Sequence, residues 1–339
     1  MDFLELFLPV VWFVILALFL LLYVVLDGFD LGVGILSLTS SNETQRSILM
    51  TSLGNIWDAN ETWLVLMGGA LFGAFPLAYG TILNALYGPI YLMILGLILR
   101  AVAFEFRENA LVKGPWNLMF GVGSVIAAAA QGVCLGTVLS GLPTDADGHF
   151  VGSPWVWFNG SSLLVALTLI QGYVLIGSTY LILKTSGELQ RLHVRTAKLA
   201  AATTVIGALL ITTTAPFISS ELRQRIFDPH FLPFFVVLPL LALLLIVQLY
   251  RSLNAGEEVA PLVYTVLLFV LSFAGLGVMV FPAIIPPSVT IFEAHSSISS
   301  LVFMLTFIGV LIPIMLFYNI YNYVAFRGKV QLPDELPVE

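Results

Sequence analysis

Nine runs of about twenty predominantly apolar residues divide this chain almost end to end, each long enough to cross the hydrocarbon core of a bilayer as a helix. They cover residues 7–36, 48–76, 82–104, 118–139, 161–183, 197–217, 232–250, 261–281 and 298–323. The runs are continuous rather than alternating, which excludes a transmembrane β-barrel. Of the 339 residues, 59% are hydrophobic and 10% charged, against roughly 25% charged in a soluble domain. A large core cannot explain that deficit, so the solvent is lipid. The expected fold is an all-α integral membrane protein with nine transmembrane helices. Residues 1–326 form one transmembrane domain, and 327–339 a short, disordered cytoplasmic tail. The first run has no basic flank and carries Asp2 and Glu5. It reads as a permanent span, not a cleaved signal peptide.

The loops fix an orientation. Eleven of the 13 basic residues fall on one side of a nine-span topology: Arg46, Arg100, Arg107, Lys113, Lys184, Arg191, Arg195, Lys198, Arg251, Arg327 and Lys329. Only Arg223 and Arg225 fall on the other. The positive-inside rule then makes the N-terminus periplasmic and the C-terminus cytoplasmic. A net charge of −7 without a basic cluster argues against nucleic acid. The single cysteine, Cys134, lies in an apolar stretch, which excludes a disulfide framework or a cysteine metal site and leaves a small packing residue.

Charges inside the apolar runs need a reason, because each costs about 3 kcal/mol or more at the centre of a span. Five stand out: Asp27, Asp30, Asp58, Glu61 and Arg100. If spans 1 and 2 turn near residues 42–43, residue n faces residue 85 − n, because both helices rise about 1.5 Å per residue. Asp27 is then level with Asp58. A turn near Tyr79 makes residue n face 158 − n, which brings Asp58 level with Arg100. Asp27 with Asp30, and Asp58 with Glu61, are i,i+3 pairs sharing a helix face. Gly28 and Gly32, and Gly69 and Gly73, supply small faces for close helix approach beside them. Trp57 and Trp63 flank the acidic segment and are candidates for the wall of a pocket or an access path. A buried Arg–Asp pair that merely fixes helix register is the structural alternative. Four acids against one base point further, to protonated or water-linked carboxylates suited to a proton path or a polar cofactor contact.

Other polar groups carry less. Glu105, Arg107 and Glu108 read as interfacial, and Glu293 and His295 as loop or helix-cap residues after the proline-rich turn Pro282, Pro286, Pro287. His149 and His230 fall in periplasmic loops and His193 in a basic cytoplasmic loop, so no histidine is placed mid-span to hold a haem iron. Met279 and Met304 have no histidine partner in register and read as packing. The segment 141–159, rich in Gly, Pro and Asp, reads as a periplasmic surface loop, and the connection 219–230 is compact.

Several segments resemble one family in order and at suitable spacing. DGFDLGVG at 27–34, WDANETW at 57–63 followed by GGALF at 68–72, Arg100, and the run from Phe281-Pro282 to the EAHSS of 293–297 are similar to subunit II of cytochrome bd-type quinol oxidases. The resemblance implies two four-helix bundles, about 7–140 and 160–325, with the last helix peripheral. It implies a homologous partner, subunit I, holding two b-type haems and one d-type haem. In some members small single-span subunits join, and subunit II holds a structural quinone. The complex would pass electrons from quinol to O₂ in a bacterial inner membrane. This chain would hold no haem, support assembly and haem retention, and contribute to proton and O₂ access. By matching position, Asp58 is the proton-path residue with Glu61 beside it, and Asp27, Asp30 and Arg100 are structural and electrostatic partners. Trp63, with Trp57, would line an oxygen route.

The competing class is a polytopic secondary transporter using the carboxylates of spans 1 and 2. The acids cluster in those two spans alone, and no matching interrupted pair appears in the second half. A third reading, a purely structural partner, differs only in whether Asp58 conducts protons.

Overall fold

A computed structural model describes residues 3–54, 56–218 and 220–330. In chain order the elements are α1 (Phe3–Ser37), α2 (Glu43–Leu53), α3 (Trp57–Ala74), α4 (Pro76–Arg107), α5 (Gly114–Ser140), α6 (Gly160–Lys184) and α7 (Gly187–Ile218). There follow α8 (Ser220–Phe227), α9 (Leu232–Ala255), α10 (Ala260–Val280), β1 (Ala283–Ile285), β2 (Val289–Thr290), α11 (Ile291–Ala294) and α12 (Ile298–Ala325). Among the described residues, eight helices (α1, α4–α7, α9, α10 and α12) are long and apolar enough to cross a membrane. The protein is an all-α, multi-spanning membrane protein.

The second apolar run departs from its expected form. It is not one helix but two, α2 and α3, interrupted between Leu53 and Trp57. Gly54, at φ 52°, closes α2 with its N–H on the Thr51 carbonyl. No proline marks this break, and hydropathy is blind to a glycine in a left-handed turn. At 18 residues, α3 is about 27 Å long, and its first turns are polar. Another break lies at Phe75, after which Pro76 opens α4 at the position where a missing N–H costs nothing. Within α4 the backbone bends at Leu86, just before Pro89, where a proline removes a helical hydrogen bond.

Helix α1 is the hub. It packs against α3, α5 and α6 most extensively, and also touches α2, α10, α11 and α12. Two glycine contacts make that possible. A Cβ on Gly32 would sit 1.9 Å from the Tyr173 carbonyl oxygen, and one on Gly177 would sit 2.7 Å from the Gly32 carbonyl carbon. Gly28 likewise lies under the Tyr173 ring. The small face beside Asp27 and Asp30 therefore receives α6. Gly69, by contrast, meets no neighbour in the chain, while Gly73 faces Met304. A second close pair, Gly96 and Gly123, joins α4 to α5.

Polar ties hold the helix ends. Arg107 is buried within the protein at the end of α4: its guanidinium bonds Glu43, Ser47 and Asn117, joining the start of α2 to α4 and α5. Glu105 and Glu108 are exposed. Helix α7 begins ten residues before the expected span, so His193 lies on a helix and is buried rather than in a loop. Apolarity alone misses that turn because its charged residues sit on one exposed face. Glu293 completes a capping box with Thr290, whose backbone N–H and hydroxyl hold the carboxyl below its usual range. The loop 141–159 is tied to α4 by the Thr81 hydroxyl on Gly148 and to the β-hairpin by Leu142 N–H on Pro286. The expected disordered tail is only partly testable, since 331–339 lie outside the described residues. Its first residues are anchored: Lys184 donates to Phe326, Val330 donates to Lys184, and Lys329 pairs with Glu258.

Replacing Gly177 with Ala is expected to destabilise the fold by about 1–3 kcal/mol through overpacking against α1. Gly309→Ala, where no atom lies within 4 Å of the new methyl, is expected to leave stability within about 0.5 kcal/mol. Melting midpoints of the purified protein in mild detergent check both.

Candidate functional site

The intramembrane charges meet where α1, α3 and α4 cross. Arg100, 2% exposed, reaches from α4 to two helices. Its Nη1 lies 2.6 Å from Asp27 Oδ1 on α1, and its Nη2 lies 3.0 Å from Glu61 Oε2 on α3. Asp27 is fully buried, whereas the Glu61 side chain is 24% exposed. The fork of the guanidinium suits this double contact, which a lysine could not make in the same geometry. Gly123 lets α4 settle here, since a Cβ on it would sit 2.9 Å from the Arg100 backbone nitrogen.

Asp30 belongs to a second set of contacts one turn along. Its Oδ2 accepts from Asn60 Nδ2 at 2.8 Å, and the Asn60 Oδ1 accepts from the Tyr323 hydroxyl at 3.0 Å. Asn319, one turn before Tyr323 on α12, accepts from Trp63 Nε1 at 3.2 Å. Helix α12 is thus fastened to α3 by neutral polar groups. Three buried atoms in the cluster have no hydrogen-bond partner: Asp27 Oδ2, Asp30 Oδ1 and Arg100 Nε. Asp30 and Arg100 both line a small enclosed cavity of about 10 Å³, walled by Leu53, Trp57, Phe104 and Phe120. That is close to the volume one water molecule needs.

Glu61 therefore stands where Asp58 was expected. The depth estimates place residue 58 opposite both Asp27 and Arg100, and the observed partner is three residues, or one turn, further on. Both hairpins contain a hidden break, one where Gly54 caps α2 and one at Leu86, where chain is consumed without full helical rise. Asp58 is exposed in the first turn of α3, where its charge complements the helix N-terminus. Among the described residues its carboxylate makes no ion pair or hydrogen bond. Trp57 lines the small cavity beside Asp30 and Arg100. Trp63 is fully enclosed, packed on Phe19 at 5.7 Å.

Asn60, Asn319 and Tyr323 were not singled out in the sequence. A signal existed: Asn319, Asn322 and Tyr323 recur at helical spacing in an otherwise apolar span. Also unanticipated is a chain of neutral groups beside the cluster, in which Gln131 of α5 is bonded at both ends of its amide by Tyr23 of α1 and Tyr173 of α6. Among the described residues, no group of three or more His, Cys, Asp or Glu is placed to hold a metal ion.

Comparison with known proteins places this architecture. The family model for cytochrome bd terminal oxidase subunit II matches residues 8–326. The chain is 30% identical over 330 residues to cytochrome bd ubiquinol oxidase subunit 2 of Bacillus subtilis, covering 94% of this chain and 96% of the relative. It is 26% identical over 361 residues to cytochrome bd-I ubiquinol oxidase subunit 2 of Escherichia coli, covering 96% and 95%. Its fold is similar to a chain of the bd oxidase from Geobacillus thermodenitrificans, with a TM-score of 0.70 and 20% identity over 91% of this chain and 98% of that one. With a whole-chain family match and the intramembrane cluster in place, this chain belongs to the cytochrome bd terminal oxidase subunit II family.

Proposed function

We propose that this chain is the haem-free subunit II of a bacterial inner-membrane quinol:O₂ oxidoreductase, and that its α1–α3–α4 charge cluster feeds protons to the reaction. The observation that carries the proposal is the whole-chain family match together with two carboxylates sharing one buried arginine and a third, Asp30, one turn along α1. The partner, subunit I, supplies the haems that carry electrons from quinol to O₂. The transporter reading loses its ground, since a single cluster with no counterpart in α6–α12 is what the family's motifs account for.

In this reading α2 and α3 together make a ninth, broken crossing. The first bundle comprises α1, α3, α4 and α5, the second α6, α7, α9 and α10, with α12 peripheral. The N-terminus is periplasmic and the C-terminus cytoplasmic, supported by the eleven basic residues that follow the odd-numbered spans. Asp58 fits this arrangement at a protein interface. A carboxylate exposed at membrane depth is too costly to leave against lipid, so the outer face of α3, with Asp58, Val65, Gly69 and Phe72, turns toward subunit I.

The residues then divide the work. Asp58 receives a proton at the cytoplasmic side and Glu61, one turn on, takes it over. Protonation releases Glu61 from Arg100, while Asp27 continues to hold the guanidinium. Asp30, beside the water-sized cavity, is the second acid able to hold the surplus proton. Trp57 closes that cavity. The enclosure of Trp63 and its bond to Asn319 support a packing role rather than the lining of an O₂ route.

Two predictions separate conduction from scaffolding. Asp58→Asn and Glu61→Gln, made in the complete oxidase, are expected to slow quinol oxidation by about tenfold or more, a barrier increase of about 1.4 kcal/mol, with the optical spectrum of the haems unchanged. Loss of the haem bands in both would instead make these residues structural. Arg100→Gln strands two carboxylates without a counter-ion, a loss of about 3–5 kcal/mol for a broken buried pair. It is expected to prevent assembly with the haem-bearing subunit, read as absence of haem from the pulled-down complex.

A further inference from the structure

Tyr23 lies on α1 one turn before Asp27, and its hydroxyl is held from two other helices. The Tyr173 hydroxyl donates to Gln131 Oε1 at 2.6 Å, and Gln131 Nε2 donates to the Tyr23 oxygen at 2.6 Å. Both phenols are buried. The Tyr173 ring is fixed independently: it lies over Gly28, where a Cβ would approach it to 2.7 Å, and stacks on Phe269. This is a directed string. Once Tyr23 accepts from the amide, its own hydrogen is left to donate, and among the described residues no acceptor is paired with it. Asp27 Oδ2, one turn on along the same face, is a fully buried carboxylate oxygen without a partner. Asp27 is also the charged group that bears most strongly on both hydroxyls.

We propose that Tyr23 is a positioning residue for the proton route: held by Gln131, which Tyr173 holds in turn, it donates through one bridging water to Asp27 Oδ2 and gives that oxygen its missing partner. No direct hydrogen bond joins the two, and a single water is a common bridge between polar groups separated in this way. The inference rests on the proton-route reading of the cluster. Arg100 already donates to Asp27 Oδ1, so with Tyr23 both oxygens are bonded in the ionised form, which favours that form. The surplus proton is left to Asp30, which borders the cavity, and to Glu61, which is partly exposed. Of the two, Glu61 reaches the chain's exterior and Asp30 has room for a water beside it.

The other groups around Asp27 do not duplicate this role. From α4 comes Arg100, and from α3 come Glu61 and the exposed Asp58. Asp30 on α1 is engaged by Asn60, itself bonded to Tyr323 of α12. Tyr180 of α6 donates to the Ser52 carbonyl. Helix α5 adds Gln131. Glu43 and Arg46 of α2 lie beyond the far end of α1, with Arg46 on the Ser37 and Ser40 carbonyls, and Glu293 of α11 is engaged in its capping box.

The test is Tyr23→Phe in the complete oxidase, read by infrared absorption of protonated carboxyl groups and by the pH profile of turnover. Removing a donor to an ionised carboxylate raises its proton affinity. A new protonated-carboxyl band is therefore expected, absent from Tyr23→Phe/Asp27→Asn, and activity should fall on the acid side about one pH unit earlier than in the parent. Tyr173→Phe keeps the ring over Gly28 and removes only the far hydroxyl, so it should give a smaller shift of the same sign and guards against a failure of Tyr23→Phe to assemble. An assembled Tyr23→Phe oxidase with the parent's carboxyl spectrum and acid limb overturns the inference, even if its melting point drops. The band without any change in turnover at any pH upholds the Tyr23–Asp27 link and overturns the proton route itself.

Discussion

A guanidinium does not lose its proton inside a protein, so Arg100 is positive wherever the fold places it. The fold places it 2% exposed among membrane-spanning helices, where an uncompensated cation would cost several kcal/mol. Much of the surrounding architecture follows from meeting that demand. Two carboxylates must reach the two ends of one fork, which fixes α1 and α3 against α4 at a single level. The backbone must come close enough to allow it, which is why Gly123 stands opposite Arg100. On the far side of α1, Gly28 and Gly32 admit α6 to the same level. The charge pair and the glycine contacts are therefore one device.

The break between α2 and α3 belongs to the same demand. A continuous helix from Glu43 to Ala74 would carry the polar stretch WDANET straight through the apolar layer. Interrupting it at Gly54 lets Leu53 and Trp57 fold over the Asp30–Arg100 cavity, and turns Glu61 and Asn60 inward while Asp58 points out. Backbone groups freed at such a break need partners, and several find them: Gly54 N–H bonds Thr51, Ile56 N–H bonds Leu53, and the Ser52 carbonyl takes the Tyr180 hydroxyl. Three residues spent there account for the one-turn error in the depth estimate.

What could be read from the sequence, and what could not, divides along the size of the energies involved. The apolar runs and the in-span charges are each worth several kcal/mol per helix or residue, and both are visible in the fold: eight of the nine runs as long helices, Asp27, Asp30, Glu61 and Arg100 as one cluster. The choice between Asp58 and Glu61 depends on a single turn, and that turn depends on a glycine conformation. Asn60, Asn319, Tyr323 and the Tyr23–Gln131–Tyr173 string stayed hidden because neutral polar groups are cheap to bury once paired. A screen tuned to charge passes over them. The partners of Arg107 stayed hidden for another reason: Glu43 and Asn117 come from other elements, so nothing near it in sequence marks it as buried.

Those neutral groups are what turn a charge cluster into something selective. Arg100 can satisfy two acids but three are within the cluster, so on electrostatics alone the surplus proton has no fixed address. Asn60 donates to Asp30 with a neutral amide, and this support is weaker than the guanidinium given to Asp27. Glu61 shares Arg100 but keeps partial access to the chain's exterior. The ranking of contacts that results is structural in origin: Asp27 takes the shortest guanidinium contact, Asp30 a neutral amide, and Glu61 a guanidinium contact with partial exposure. Neutral side chains from α3, α5, α6 and α12 set these differences among the carboxylates, and it is those differences, smaller than any single ion pair, that the proposed proton route would use.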